Sequence, residues 1–355
     1  MTDEAEKQYP FLMACRRQAT PHTPIWLMRQ AGRYMKEYRA LRKKYSFLEM
    51  CKNPELAAKV TLQPIEKFKL DAAIIFSDIL IPLEPMGVEF EFAKGEGPVF
   101  HHPLRERKDV ERLRLIEPEE DIPFLLKAIR IVRKELEGKV PLIGFSGAPF
   151  TLASYIIEGG HSKNYVLTKG LMYQDRPTWD ALMEKLSEVL IRYLNAQIQS
   201  GVQAVQIFDS WVGCLTPGDY EEYVLPYSKK VMDGVGKSVP LIHFATSNST
   251  LLELMKRAGG DVIGVDWRVN IGEAWARLGY DIAIQGNLDP VILFGPVDLI
   301  EKNVKKILDS VGDRPGHIFN LGHGILPTTP LDHVTALVDI VHEYSSRSPS
   351  RSNLP

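Results

Sequence analysis

The chain has 355 residues, and its 43 basic and 45 acidic side chains leave a formal net charge of −2. A chain so close to neutral lacks the broad positive charge of a protein that binds nucleic acid or a membrane surface. Hydrophobic residues make up 45% of it, which provides for a large core, and the length suits two ordinary domains or one α/β barrel.

Short apolar runs rich in Ile, Val, Phe and Leu recur along the chain. Because both faces of each run are apolar, the pattern is typical of parallel strands that are buried on both sides. Eight runs fit this description, at residues 24–29, 71–76, 141–146, 204–209, 240–245, 262–267, 282–287 and 317–322.

Helical patterns lie between the apolar runs. The segment 53–70 opens on Asn53, a good N-cap residue, with Pro54 at the first helical position, and Pro64 should kink or divide this helix. Apolar residues at helical spacing continue from 180 to 201, where Gly201 is a natural end. An alternating segment at 87–100 predicts a small β-hairpin inserted after the second strand.

Eight buried strands that alternate with helices predict an α/β fold, a single-domain (β/α)8 TIM barrel over residues 1–355 with its core at about 10–345. A doubly wound open sheet is the alternative, but no strand is followed by a GxGxxG or P-loop sequence.

The end of the chain, SSRSPSRSNLP, predicts a disordered tail. The acidic start is unlike a signal peptide, and no apolar run approaches the ~20 residues of a membrane helix.

Polar residues follow the apolar runs at the ends where barrels keep their chemistry. We therefore expect these side chains to surround one opening. They are Arg29 and Arg33, Ser77 and Asp78, Ser146 with Tyr155 further on, Asp209 and Ser210, His243, Asp266, Asn287, and Asn320 with His323.

The basic stretch 29–44 favours a binding site for an anion. Arg29 and Arg33 could simply be solvated, but Arg at the start of a helix is unfavourable beside the helix dipole unless an anion is present. His323 lies between two glycines, which allow the backbone to approach a ligand closely. Each of the other candidates also has a structural interpretation. Asp78 could be a helix cap, Tyr155 a core side chain and Ser210 a turn residue.

No metal centre or activated nucleophile is predicted. Cys15, Cys51 and Cys214 are far apart, which suggests neither a disulfide framework nor a structural zinc site and fits a reducing compartment. His243 is followed by Phe244 and Ala245, with no cysteine nearby, and neither HExxH nor GxSxG occurs. An anion-binding site with one well-placed carboxylate remains.

Six segments resemble the signature sequences of the uroporphyrinogen decarboxylase family. They stand in the family's order from near the start of the chain to near its end, so the likeness covers nearly the whole sequence. The segments are MRQAGRY (28–34), LDAAIIFSDIL (70–80), PLIGFSGAPFTLASY (141–155), VDW (265–267), QGNLDP (285–290) and NLGHGI (320–325).

The resemblance implies a carboxy-lyase of heme biosynthesis that needs no metal or organic cofactor. It would remove CO2 from the four acetate arms of uroporphyrinogen III and give coproporphyrinogen III, as a homodimer in the cytoplasm. It also implies catalytic roles for Asp78, Arg29 and Tyr155, and it places Phe150, where the family often has Trp, on the cleft wall. The implied substrate-binding residues are Arg29, Gln30, Ala31, Gly32, Arg33, Arg42, Asp78, Tyr155, Ser210 and His323.

Two alternatives stay open on the sequence. A methyltransferase of the same fold, acting on a corrinoid-bound methyl group, would need a zinc-binding HxC where this chain has His243, Phe244 and Ala245. A porphyrinogen-binding protein without catalysis would also need Arg and a shaped cleft, but it has less need of Asp78.

Overall fold

The computed structural model describes residues 9–93 and 97–346. The hairpin turn predicted at Gly95 and the tail from 347 onward lie outside these residues. No helix in the described part of the chain is long and apolar enough to cross a membrane.

Seven parallel strands form one curled sheet within the described residues, in the order β1-β4-β5-β6-β7-β8-β9, and two antiparallel strands form a hairpin. This confirms the predicted α/β barrel class and the inserted hairpin. The strands are β1 Ala73–Ile74, β2 Phe90–Ala93, β3 Gly97–Phe100, β4 Leu142–Gly147, β5 Ala204–Asp209, β6 Leu241–Ala245, β7 Val262–Gly264, β8 Ala283–Gln285 and β9 His317–Ile318.

Sixteen α-helices occur in the described residues, most of them between the strands. They are α1 Pro10–Cys15, α2 Lys36–Arg42, α3 Phe47–Lys52, α4 Pro54–Lys67, α5 Arg107–Arg112, α6 Pro118–Asp121, α7 Pro123–Glu135, α8 Pro149–Glu158, α9 Val166–Gln174, α10 Arg176–Gln199, α11 Pro217–Tyr223, α12 Leu225–Gly234, α13 Leu252–Ala258, α14 Ile271–Leu278, α15 Val297–Val311 and α16 Leu331–Ser345.

The barrel closes through the first predicted strand, although residues 24–29 form no regular strand. Ile25 makes an isolated parallel bridge to Phe319, beyond β9. On its other side, the Asp71 amide donates to the Ile25 carbonyl at 2.8 Å. We call these contacts of Ile25 with Phe319 and Asp71 the barrel seam. The segment around Ile25 therefore occupies the place of the eighth strand.

The amino-terminal end of the barrel is filled by α1. Phe11 and Leu12 of this helix join one apolar cluster with strand residues such as Ile143, Ile242 and Ile318. Burying these side chains closes that end to solvent. The opposite end, where the strands finish, is left for the site.

The fourth helix starts as its sequence predicts. Asn53 Oδ1 accepts a hydrogen bond from the Leu56 amide at 2.9 Å, and Pro54 is at the first helical position. The helix then runs as one element through Pro64 to Lys67, so of the predicted kink or division the division does not occur. The helix packs along α7, and this contact offsets the hydrogen bond that proline cannot make.

Candidate active site

Asp78 follows β1 at the carboxyl end of the barrel. Its Oδ1 accepts a hydrogen bond from the Leu80 amide at 2.9 Å. Burial raises the pKa of Asp78 to about 6, while the Leu80 amide and the Arg29 guanidinium act in the lowering direction. At pH 7 the group is therefore mostly a carboxylate, in surroundings that disfavour its charge. A carboxyl group with a pKa raised by burial in a cleft is a candidate for catalysis.

Arg29 lies between Asp78 and the last loop of the barrel. Its backbone has φ +61°, which is rare for a residue with a side chain. Its side chain lies against Gly324, where an added Cβ would come within 2.4 Å of Arg29 Cδ. The guanidinium lowers the pKa of both Asp78 and His323. Arg29 therefore lies within electrostatic range of both Asp78 and His323.

The loop after Arg29 presents backbone amide groups. Gln30 is fully buried and bonds through its own side-chain amide to backbone groups, so it holds the loop and does not face the opening. Among the residues that the structure describes, the amides of Ala31, Gly32 and Arg33 have no acceptor. Successive unpaired amides beside arginine side chains make a surface suited to an anion.

Arg33 and Arg42 are both exposed, and both guanidinium groups affect the pKa of Tyr38. Burial raises the pKa of Tyr38, and the two guanidinium groups work against that rise. Arg42 also acts on the thiol of Cys51, as does Asp78 with the opposite sign. Arg33 and Arg42 are therefore both within electrostatic range of Tyr38, and Arg42 and Asp78 are both within electrostatic range of Cys51.

Tyr155 belongs to an aromatic wall of the opening. Its ring stacks on Phe100 of the hairpin, with centroids 6.3 Å apart, and meets Trp211 edge-on at 5.7 Å. Burial and the nearby Asp78 carboxylate raise the pKa of Tyr155 to about 12. Its hydroxyl therefore stays protonated at any working pH, so it can donate a hydrogen bond but cannot act as a base.

His323 is held as a neutral ring with a defined proton position. Its Nδ1 accepts a hydrogen bond from the Gly324 amide at 2.7 Å. Burial and then Arg29 lower the pKa of His323 to about 4, against a smaller opposing effect of Asp266. With Nδ1 occupied as an acceptor, the proton of the neutral ring is on Nε2, which becomes a donor for a ligand.

Ser210 follows β5 directly and is half-buried. Its carbonyl accepts a hydrogen bond from the Thr246 hydroxyl at 2.5 Å, which fixes the turn. The next residue is Trp211, which packs on Tyr155. The predicted hydroxyl position therefore adjoins the aromatic wall.

Sequence reasoning missed Arg268. The fully buried Asp266 bonds to the Arg268 side chain, and the guanidinium lies 4.0 Å from the centre of the Trp267 ring. Arg268 lowers the pKa of His323, so its charge lies within electrostatic range of that ring. Its position in the sequence could have identified it, since Arg268 stands two residues after Asp266, at the polar end of a predicted strand.

One expected wall residue lies elsewhere. Phe150 is completely buried and packs edge-on against Trp179, with centroids 6.1 Å apart, so the prediction that it lines the cleft is wrong. It is in the first turn of α8, on the side that faces α10. The helix position was readable from the sequence, but the face that it buries depends on a partner far along the chain.

The zinc ligands of the methyltransferase alternative are not assembled at His243. This residue is fully buried on β6, and its Nε2 lies 3.7 Å from Asp209 Oδ2. In the described ranges, the one group of three His, Cys, Asp or Glu side chains close enough to share a metal ion is at another place in the fold.

Comparison with known proteins bears on the identity of this site. Residues 6–344 match the family described as uroporphyrinogen decarboxylase (URO-D). A uroporphyrinogen decarboxylase of Carboxydothermus hydrogenoformans is 61% identical over 339 residues, which cover 95% of this chain and 97% of that protein. One of Sorangium cellulosum is 59% identical, with coverages of 94% and 95%. A solved methyltransferase from Methanosarcina mazei has a TM-score of 0.80 at 24% identity, covering 95% of this chain and 98% of that chain, which is a likeness of fold.

Proposed function

The chain belongs to the uroporphyrinogen decarboxylase family, and from this premise we propose how its residues carry out the family's reaction. It is a carboxy-lyase of porphyrin biosynthesis. Its substrate is uroporphyrinogen III, whose four acetate arms lose CO2 to give coproporphyrinogen III. The observation that carries the proposal is the pairing of a half-buried carboxyl group, Asp78, with the basic loop that begins at Arg29.

Binding is chiefly an electrostatic problem, because the substrate bears eight carboxylates. Arg29, Arg33 and Arg42 supply planar guanidinium groups, each able to bind a carboxylate through two hydrogen bonds. The free amides of Ala31 and Gly32 add donors with no side-chain entropy to lose. The basic loop therefore holds the rim of the macrocycle and turns one acetate towards the interior.

The chemistry uses the substrate as its own electron acceptor. A proton added to the pyrrole carbon next to the one that bears the acetate makes the ring cationic. The bond between the methylene and carboxyl carbons then breaks, CO2 leaves, and its electron pair forms an exocyclic double bond to the ring. A proton added to the methylene carbon and one lost from the ring restore the pyrrole with a methyl group, for a net uptake of one proton per acetate.

Asp78 stabilises the positive charge that forms on the pyrrole ring during the reaction. Its carboxylate accepts hydrogen bonds from the pyrrole NH groups, which fixes the macrocycle, and it faces the ring as positive charge develops. A fixed charge in a site that excludes water is worth more than the same charge in solvent. Arg29 holds a substrate carboxylate, since a guanidinium is too weak an acid to be an efficient proton donor. Tyr155 and the Nε2–H of His323 donate hydrogen bonds to the macrocycle or its carboxylates, and Ser210 lies beside them.

A direct assay tests the proposal. Purified protein given uroporphyrinogen III should release CO2 and form coproporphyrinogen III. Asp78→Ala should lose most turnover, whereas Asp78→Glu should keep some. Asp313→Ala, at an exposed loop aspartate, is the matched control and should behave as wild type. Full activity of Asp78→Ala would exclude this mechanism, and tight binding without CO2 release would favour the porphyrinogen carrier.

Substitutions in the basic loop should change the pattern of products. Arg29→Ala and Arg33→Ala should slow the reaction and let partly decarboxylated intermediates accumulate, because the ring is released before its last acetate is turned inward. Arg112→Ala, on an exposed helix, serves as the control for loss of one positive charge. Unchanged kinetics and product pattern in both loop variants would count against the clamp.

We further propose a homodimer in the cytoplasm. Four large apolar side chains are exposed within a short stretch after β8, which supports contact between two copies: Val291, Phe294, Val297 and Leu299. Three free cysteines support a reducing compartment. Light scattering of the wild type and of Phe294→Asp measures the oligomeric state. A monomeric wild type would contradict the proposed homodimer.

A further inference from the structure

Three titratable side chains that the reaction does not use meet at the amino-terminal end of the barrel. His22 precedes the segment of Ile25, Asp71 precedes β1, and His342 is on α16, the last helix. Since Asp71 stands before β1 and Asp78 after it, this cluster is at the opposite end of the strand from the candidate active site. No local sequence pattern connects these three residues, because the partners of His342 are about 270 and 320 residues away along the chain.

The three side chains converge on one point. His22 Nε2 lies 2.9 Å from Asp71 Oδ1, and His342 Nε2 lies 2.8 Å from Asp71 Oδ2. One ligand atom from each residue lies within 4.8 Å of the other two. The two rings are 4.3 Å apart, centre to centre. Side-chain exposures of 24%, 10% and 19% leave the point reachable from solvent.

We propose that His22, Asp71 and His342 bind a divalent transition-metal ion, and that this ion is preferentially Zn²⁺. Two imidazole nitrogens and a carboxylate oxygen are a donor set that zinc accepts, with its fourth position left to water. Zinc takes these ligands at about 2.0–2.1 Å, so any two ligand atoms lie within about 4 Å of each other. The three candidate ligand atoms already lie within 4.8 Å of one another. An ion between them would replace the two hydrogen bonds that His22 and His342 make to different oxygens of the Asp71 carboxylate.

The surroundings orient the carboxylate for this role. Asp71 Oδ2 also accepts a hydrogen bond from the Ile25 amide at 2.7 Å, which fixes the side chain from the barrel side. The amide of Thr23 donates to the Ser345 hydroxyl at 2.9 Å, which holds α16 against the segment of His22. A bound ion would thus fasten the last helix to the barrel seam and stabilise the fold without touching the active site.

Titration of chelator-treated full-length protein with Zn²⁺ and Co²⁺ at pH 7.5 tests the site. We expect one ion per chain, a visible absorption band for Co²⁺ from a site of low coordination number, and a Zn²⁺-dependent rise in melting temperature. Uroporphyrinogen turnover should not depend on the ion.

Matched variants separate this site from adventitious binding. His22→Gln and His342→Gln should each weaken binding at least tenfold and abolish the metal-dependent rise in melting temperature. His102→Gln, at an exposed histidine 3.9 Å from Glu89, is the control and should bind as wild type. Melting without metal and turnover verify that the variants are folded. Absence of stoichiometric binding, or binding that survives the double His22→Gln, His342→Gln change, would overturn the proposal.

Discussion

The substitution Asp78→Asn should stabilise the protein at pH 8 while it removes activity. Burial raises the pKa of this carboxyl to about 6 from an ordinary value of 3.8, so its ionised form is less stable in the fold than in water. Because a tenfold change in proton affinity is worth about 1.4 kcal/mol, the ionised group lowers the free energy of unfolding by up to about 3 kcal/mol. Asparagine has a similar shape, carries no charge and keeps an oxygen for the Leu80 amide.

The pH dependence of unfolding distinguishes this effect from a change in packing. Since the folded pKa of Asp78 lies above the unfolded one, its contribution to stability is fully present below about pH 4 and is lost as the pH rises through about 6. Urea unfolding of wild type and Asp78→Asn at pH 5 and pH 8 measures it, and the advantage of the variant should grow by about 1.5 kcal/mol between them. Comparing both proteins at each pH cancels the other titrating groups. A variant less stable than wild type at pH 8, or an advantage independent of pH, would refute the reasoning.

Three further results are expected. The kcat/KM of the wild type should fall as the pH drops through about 6, because a protonated Asp78 has lost the negative charge that stabilises the cationic ring. A profile flat to pH 5 would contradict this. Gly324→Ala should lower kcat/KM about tenfold by displacing the Arg29 side chain, while Gly170→Ala, at a helical position with open space, should not; equal kinetics would show that Arg29 is not held there. His323→Gln should keep more substrate affinity than His323→Asn, because only glutamine reaches the Nε2 donor position, and the reverse order of KM values would invert the assigned tautomer.

Local patterns predicted the scaffold well. The strand at 204–209 was placed with its observed bounds, and Asn53 caps the helix that its sequence announces. Buried parallel strands and helix starts are encoded by neighbouring residues, so a single sequence contains them. The first strand was over-extended, since its pairing at Ile25 is decided by partners at both ends of the chain.

Contacts between distant segments were not predictable in this way. The stacking of Phe100 on Tyr155 depends on where the hairpin folds back, and the burial of Phe150 depends on Trp179 in another helix. Arg268 comes within range of His323 only because the residues after β7 pack against the loop of His323, where a Cβ added at Gly322 would lie 2.4 Å from the Trp267 amide nitrogen. The predicted strand ends indicated which polar residues to expect at this end of the barrel, whereas the walls around them are set by packing between elements.

The barrel seam has a consequence for synthesis of the protein. The seam pairs Ile25 with Phe319, and beside it the Phe319 amide donates to the Pro24 carbonyl and the Thr23 amide donates to Ser345 in the last helix. Nearly the whole chain must therefore have left the ribosome before these contacts can form. Until then the nascent sheet keeps two open edges, which are templates for association with other chains. A chain truncated before residue 317 should therefore accumulate in inclusion bodies even though most of its strands and helices are intact.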